Sequence, residues 1–175
     1  MKTFIGLGNP GKEYELTRHN VGFLVLDELA IRLDTKFKSK RSVEALLAEG
    51  QMEDQRILLA KPQTFMNISG RSLLAIMNKY PVTIDDVTII YDDADLAFGD
   101  VRIKEGGGAA GHRGMASILN SLPKGTKVNR IRIGIGRPSH TDIPLDQFVL
   151  QSFSKDEQDA LPQIIDQVIE KIYAS

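Results

Sequence analysis

Short apolar runs of strand length alternate along this chain with longer segments whose apolar residues recur at helical spacing. That alternation limits the possible folds more than any other feature. Lys2–Leu7, "VTIIYDD", "DVRIK" and "RIRIGIG" read as strands, and "EALLAEGQMEDQRILLAKP" reads as two strands around a polar turn. "NVGFLVLDELAIRL" carries Val21, Leu24, Val25, Leu29 and Leu33 on one stripe. "ISGRSLLAIMNKY" reads as a helix stopped before Pro81, and "MASILNSL" as another. Ser154 followed by Glu157 is a capping box opening a last helix, with Ile164, Ile165, Val168, Ile169 and Ile172 inward and Pro162 expected to kink it. The pattern predicts an α/β fold, a three-layer sandwich in which a mixed, mostly parallel sheet is flanked by helices. With 175 residues and no repeat, low-complexity tract or linker, one domain over residues 1–175 is expected. A chain of that length buries roughly 70% of its unfolded surface.

Composition removes several kinds of chemistry. There is no Cys, so no disulfide framework, zinc thiolate or thiol nucleophile. The opening "MKTFIGLGNPG" has too short an apolar run for a signal peptide, and nothing approaches the ~18 apolar residues of a membrane span. A soluble, cytoplasmic protein is expected. The net charge of −1 argues against indiscriminate nucleic-acid binding, but the charges are unevenly placed. Residues 81–100 carry a net −6 and residues 101–140 a net +7. Such blocks are usually solvated faces; gathered on one face, the basic block would bind phosphate.

"FIGLGNPGKEYELTRHN" contains Gly6, Gly8 and Gly11 at the spacing of a dinucleotide loop. That reading fails on context. Pro10 pushes Asn9 toward extended geometry, no apolar helical stripe follows Gly11, and Asp27 and Glu28 fall inside a helix pattern rather than at a strand end. What remains is a strand-end loop carrying Asn9, Tyr14, His19 and Asn20. Asp92 ends a second strand, and a carboxylate that accepts from one imidazole nitrogen fixes the other as a proton acceptor. No G-x-S-x-G elbow or zinc-protease spacing is present. "YDDAD" could hold Mg²⁺, though strand-end carboxylates serve equally as caps or orienters, and no metal or cofactor is expected. A His–Asp pair with no protein nucleophile points to activation of water.

Five ordered blocks carry a resemblance: "IGLGNPGKEYELTRHNVGF", "AKPQTFMNISG", "IIYDDADLAFGDVRIKEGGG", "GHRGMASIL" and "NRIRIGIGRP". Together they resemble the bacterial-type peptidyl-tRNA hydrolases, esterases that free a peptide from the terminal ribose of tRNA. The resemblance implies that His19 is the general base and Asp92 its orienting carboxylate. Asn9 and Asn67 would hold the peptide backbone and the reacting water; Asn67 also reads as an N-cap ahead of "ISGRSLL". Tyr14, Phe65 and Met66 would surround peptide and terminal nucleotide. His112, in a glycine loop with no apparent acidic orienter, would lie near the tRNA end. Lys104 and Arg132 would grip a tRNA phosphate. The family usually has Asn where this chain has Arg113, a side chain that donates but cannot accept, so Arg113 would hold a phosphate or an acidic neighbour instead. The chain also ends, at "KIYAS", somewhat earlier than the family's usual length. A monomer with no obligatory protein partner is expected. Two rivals remain open: a non-catalytic RNA-binding relative, and a small-molecule amidase using the same pair.

Overall fold

The structure, a computed structural model, describes residues 1–140 and 142–175. Seven strands form one sheet: β1 Lys2–Gly6, β2 Lys38–Lys40, β3 Ala45–Met52, β4 Gln55–Pro62, β5 Val87–Asp93, β6 Val101–Glu105 and β7 Asn129–Gly134. Their order is β2-β3-β4-β1-β5-β7-β6. The four central strands, β4, β1, β5 and β7, run parallel, while β2, β3 and β6 pair antiparallel at the flanks. Five helices are present among the described residues: α1 Val21–Arg32, α2 Ser69–Lys79, α3 Arg113–Ser121, α4 Leu145–Phe148 and α5 Lys155–Tyr173.

The helices divide by face, as the three-layer expectation requires. Phe4 of β1 and Ile90 of β5 point toward α1 and α5, joining Val25, Leu29, Ile164 and Ile169 in one core. Ile5 and Ile89, one position earlier or later, point the other way and join Leu73 and Ile76 of α2 with Met115 and Ile118 of α3. The period of two along each strand thus feeds two cores at once, which is why the central strands read as continuous apolar runs. The expected stripe of α5 is buried at Ile164, Val168, Ile169 and Ile172, with Leu161 added and Ile165 only partly covered. Its capping box closes as read, Ser154 Oγ accepting from Glu157 N–H. The helix runs through Pro162 from Lys155 to Tyr173 without interruption. β2 and α4, only three and four residues long, carry no periodicity and were not legible. No helix among the described residues is long and apolar enough to cross a membrane.

The glycines around the first loop serve mainly to bring backbones together. Only Gly11 has a left-handed φ, +118°, and it opens just a three-residue 3₁₀ turn, Lys12–Tyr14. Gly6 and Gly22 let two backbones touch. A Cβ on Gly22 would overlap the Ile90 carbonyl oxygen, and one on Gly6 would overlap the Gly22 carbonyl. The start of α1 therefore rests directly on β1 and β5. Gly22→Ala is expected to destabilise by about 1–3 kcal/mol, the usual range for overpacking, read as a lowered Tm and urea midpoint. Parent-like stability would show that this approach is not obligatory.

Candidate active site

The cavity of about 600 Å³ at the C-terminal ends of the parallel strands collects residues from distant segments. This is the end of an open α/β sheet where sites are built. Asn9, Tyr14 and His19 come from the segment after β1, and Phe65, Met66 and Asn67 from the segment after β4. Asp92 comes from the end of β5, His112 and Arg113 from the start of α3, and Leu145, Asp146, Val149 and Leu150 from α4 and its sequel.

Asp92 sits at the centre, 2% exposed. His19 Nδ1 lies 3.0 and 2.9 Å from its two oxygens, so the pairing expected of these residues is made. His112 Nε2 lies 2.8 Å from Oδ1 of the same carboxylate. His112 therefore has an acidic partner, contrary to the sequence reading, because Asp92, twenty residues away, ends a strand that delivers it beneath the glycine loop. Burial pushes the Asp92 carboxyl up, but the charge and hydrogen bonds of the two imidazoles outweigh it and hold the group well below the usual carboxylate range. His112 also caps α3, its Nδ1 accepting from Met115 N–H at 3.1 Å.

Asn9 is fixed by three hydrogen bonds. Its N–H donates to Asn20 Oδ1 and its carbonyl accepts from Asn20 Nδ2, both at 2.9 Å. Its side-chain Oδ1 accepts from Met66 N–H at 2.9 Å. That leaves the Asn9 amide NH₂ for a ligand and takes away the acceptor. Asn67 is exposed within the 3₁₀ turn Met66–Ile68 and does not cap α2, whose N-cap position is Ile68 with no side-chain bond. The capping expectation fails because that extra turn carries the chain one residue past Asn67 before the helix begins.

Arg18 is a structural residue that sequence reading missed. Its guanidinium lies 4.0 Å from the Phe148 ring centroid, donates to the Phe148 carbonyl and pairs with Glu157 at 2.7 Å. Backbone bonds from Arg18 to Gln151 and from His19 to Val149 complete the splice. The only signal was the Glu157 of the capping box, which serves both groups.

The acidic and basic blocks partly meet each other. Arg132 faces Asp93 at 3.5 Å, Arg137 pairs with Asp95 at 2.6 Å, and Arg102 lies 3.7 Å from Asp100. Asp93 also accepts the Asp95 N–H, so the carboxylates of "YDDAD" act as caps and ion-pair partners. Arg130, fully buried, donates to the Gly107 and Gly108 carbonyls and anchors the glycine loop. The antiparallel register pairs Arg102 with Arg132 and Lys104 with Arg130, placing all four on one face of β6 and β7. Lys104 is exposed and Arg132 half-buried; both stand outside the cavity wall. Arg113 finds an acidic neighbour, Asp146, at 3.8 Å across the cavity, both side chains exposed. Of the metal-capable side chains among the described residues, His19, Asp92 and His112 form one cluster of three. Their ligand atoms are already hydrogen-bonded to one another.

A sandwich of this topology, with an imidazole–carboxylate pair in a strand-end cavity, offers the base that hydrolytic chemistry uses. The chain belongs to the peptidyl-tRNA hydrolase family, whose family profile, "Peptidyl-tRNA hydrolase", matches residues 3–175. It is 46% identical over 169 residues to the peptidyl-tRNA hydrolase of Geobacter metallireducens, covering 97% of this chain and 85% of that one. It is 44% identical over 172 residues to the enzyme of Geotalea daltonii, covering 98% and 88%. The crystal structure of peptidyl-tRNA hydrolase from Acinetobacter baumannii superposes with a TM-score of 0.90 at 32% identity, covering 98% of this chain and 86% of that one.

The depressed Asp92 carboxyl links stability to pH. A group lowered in the folded state contributes fully above its unfolded value, ~3.9, and the contribution is lost as pH falls toward the folded value. Urea unfolding followed from pH ~5 down to ~2 should show the parent losing stability more steeply than Asp92→Asn. Equal slopes would show that the carboxylate is not held by its imidazoles.

Proposed function

We propose that this protein hydrolyses the ester joining a peptide to the terminal ribose of tRNA, with His19 as general base and Asp92 as its orienter. The observation that carries the reading is the His19 Nδ1–Asp92 contact inside a cavity that also presents Asn9 and Asn67. A ring proton donated from Nδ1 to the carboxylate leaves Nε2 free to take a proton from water as its oxygen attacks the ester carbonyl. The Asn9 NH₂ and the Asn67 amide are the donors available to the developing oxyanion and the peptide backbone. Collapse of the tetrahedral intermediate breaks the ester C–O bond, and the proton held by His19 passes to the departing ribose oxygen. A correctly placed general base contributes ~10²–10⁴-fold.

Tyr14, Phe65 and Met66 form the wall against which peptide and terminal nucleotide would lie. Arg113 holds an acceptor-end phosphate in competition with Asp146. Lys104 and Arg132 grip a phosphate further along the tRNA; their shared sheet face supports this, and Asp93 tempers Arg132. The whole chain, residues 1–175, acts as one catalytic domain, a cytoplasmic monomer needing no metal or cofactor.

Single-turnover cleavage of an N-blocked aminoacyl-tRNA tests the chemistry. His19→Ala should abolish cleavage while tRNA binding persists. Asp92→Asn should slow it severely, since the corresponding Asp→Asn change in serine proteases costs ~10⁴-fold. The step needs the neutral ring of His19, because only that form accepts a proton. Parent-like cleavage by His19→Ala sinks the mechanism, and a parent that binds tRNA without cleaving it is the RNA-binding relative.

Neutralising Lys104 or Arg132 should raise KM, leave kcat nearly intact and lower the salt slope by about one per residue. An unchanged salt dependence would return both side chains to the solvated surface.

A further inference from the structure

The mechanism above assigns His112 no chemical role, yet both nitrogens of its ring are engaged. Nδ1 accepts the Met115 N–H, and an accepting ring nitrogen carries no proton. The neutral ring therefore holds its proton on Nε2, which faces Asp92 Oδ1 at 2.8 Å. With 8% of the side chain exposed and both nitrogens engaged, His112 has no lone pair to offer water.

Asp92 depends on that donor. Among the described residues its only hydrogen-bond donors are the two imidazoles. His19 Nδ1 is shared almost equally between the carboxylate oxygens, a geometry that tolerates rotation about the Cβ–Cγ bond. A second donor on Oδ1 removes the freedom. The rings stand 4.8 Å apart at 50°, too tilted to stack, so the carboxylate is what couples them. The other titratable group against His112 is Tyr91, edge-on at 4.9 Å, whose phenol burial raises and so keeps neutral; Arg113 follows in the chain but faces Asp146.

We propose that His112 is a positioning residue, locked as its Nε2–H tautomer by the α3 cap, which fixes the plane of Asp92 and through it the orientation of the His19 base. The inference rests on His19 and Asp92 acting as proposed above.

Two variants separate the two bonds that the ring makes. In His112→Gln the amide nitrogen reaches where Nε2 stood, keeping the donor to Asp92 and losing the cap. In His112→Asn the amide oxygen stands where Nδ1 was, keeping the cap and losing the donor. The Gln variant should melt several degrees lower yet keep kcat close to the parent. The Asn variant should melt like the parent and lose kcat roughly ten- to hundredfold, the scale of one hydrogen bond to a charged group, with KM little changed. Activity loss that follows the Tm loss, or loss confined to KM, overturns the proposal; the latter makes His112 a substrate contact. Nitrogen-15 spectra of the parent imidazoles test the tautomer without any substitution: a proton on His112 Nδ1 at neutral pH is incompatible with it. His19→Ala in the same assay distinguishes the failures, since an active His19→Ala removes the underlying mechanism, whereas an inactive one beside a fully active His112→Asn removes only this inference.

Discussion

A buried carboxylate with two imidazoles and, among the described residues, no Lys or Arg within ion-pair distance is the constraint around which the active end of this molecule is arranged. Leaving a charge in the interior without partners would cost several kcal/mol, so Asp92 must keep its donors. It keeps both because each is tethered elsewhere: His19 by its backbone bond to Val149, and His112 by capping α3. The sheet delivers Asp92 from below at the end of β5, and the two histidines arrive from opposite layers. One comes from the segment leading into α1, the other from the start of α3. Neither layer can shift without disturbing the same two oxygens.

The first loop is held with unusual thoroughness for a segment without regular structure. Asn20 stitches both backbone groups of Asn9, Asn9 in turn holds Met66, and Arg18 reaches across to Phe148 and Glu157. The Arg18–Glu157 pair is largely buried, so removing either partner would strand the other charge, whereas exposed ion pairs such as Arg71–Glu44 contribute about 0–1 kcal/mol. The bulk of the stability is apolar: each buried Ile or Leu on α5 contributes about 1.5–3 kcal/mol. The polar bonds of the first loop decide where the functional groups sit rather than whether the chain folds. Positioning of this kind is what the proposed attack by water needs, since the water and the ester carbonyl must meet in one geometry.

Charge is divided by the same logic. Asp93, Asp95 and Asp100 each face an arginine of the basic segment, so much of the imbalance between the acidic and basic blocks is neutralised internally. Arg130 is removed from the surface altogether to hold the glycine loop. Arg102, Lys104 and Arg132 remain on one face of β6 and β7, where the proposed function places a tRNA phosphate.

Local rules read from the chain determined the elements: apolar periodicity marked the longer strands and helices of the core, and the Ser154–Glu157 box marked the start of α5. His19 and Asp92 stood out as candidates because both lie at or after strand ends, which converge in an open α/β sheet, but that the two side chains meet was decided by the tertiary structure. Other features depended on contacts between segments far apart in sequence, and no spacing encodes those. Asn67 looked like a cap and instead stands exposed at the cavity without capping α2, while His112 looked unpartnered and is a cap with a carboxylate on its other nitrogen. Gly6 carried only the spacing of a dinucleotide loop and Gly22 no signal at all, yet they are points where a helix touches the sheet. The physical reason is the same in each case. Propensity and periodicity act over a few residues, but hydrogen-bond satisfaction in the interior and close packing of backbones are settled only when the layers come together.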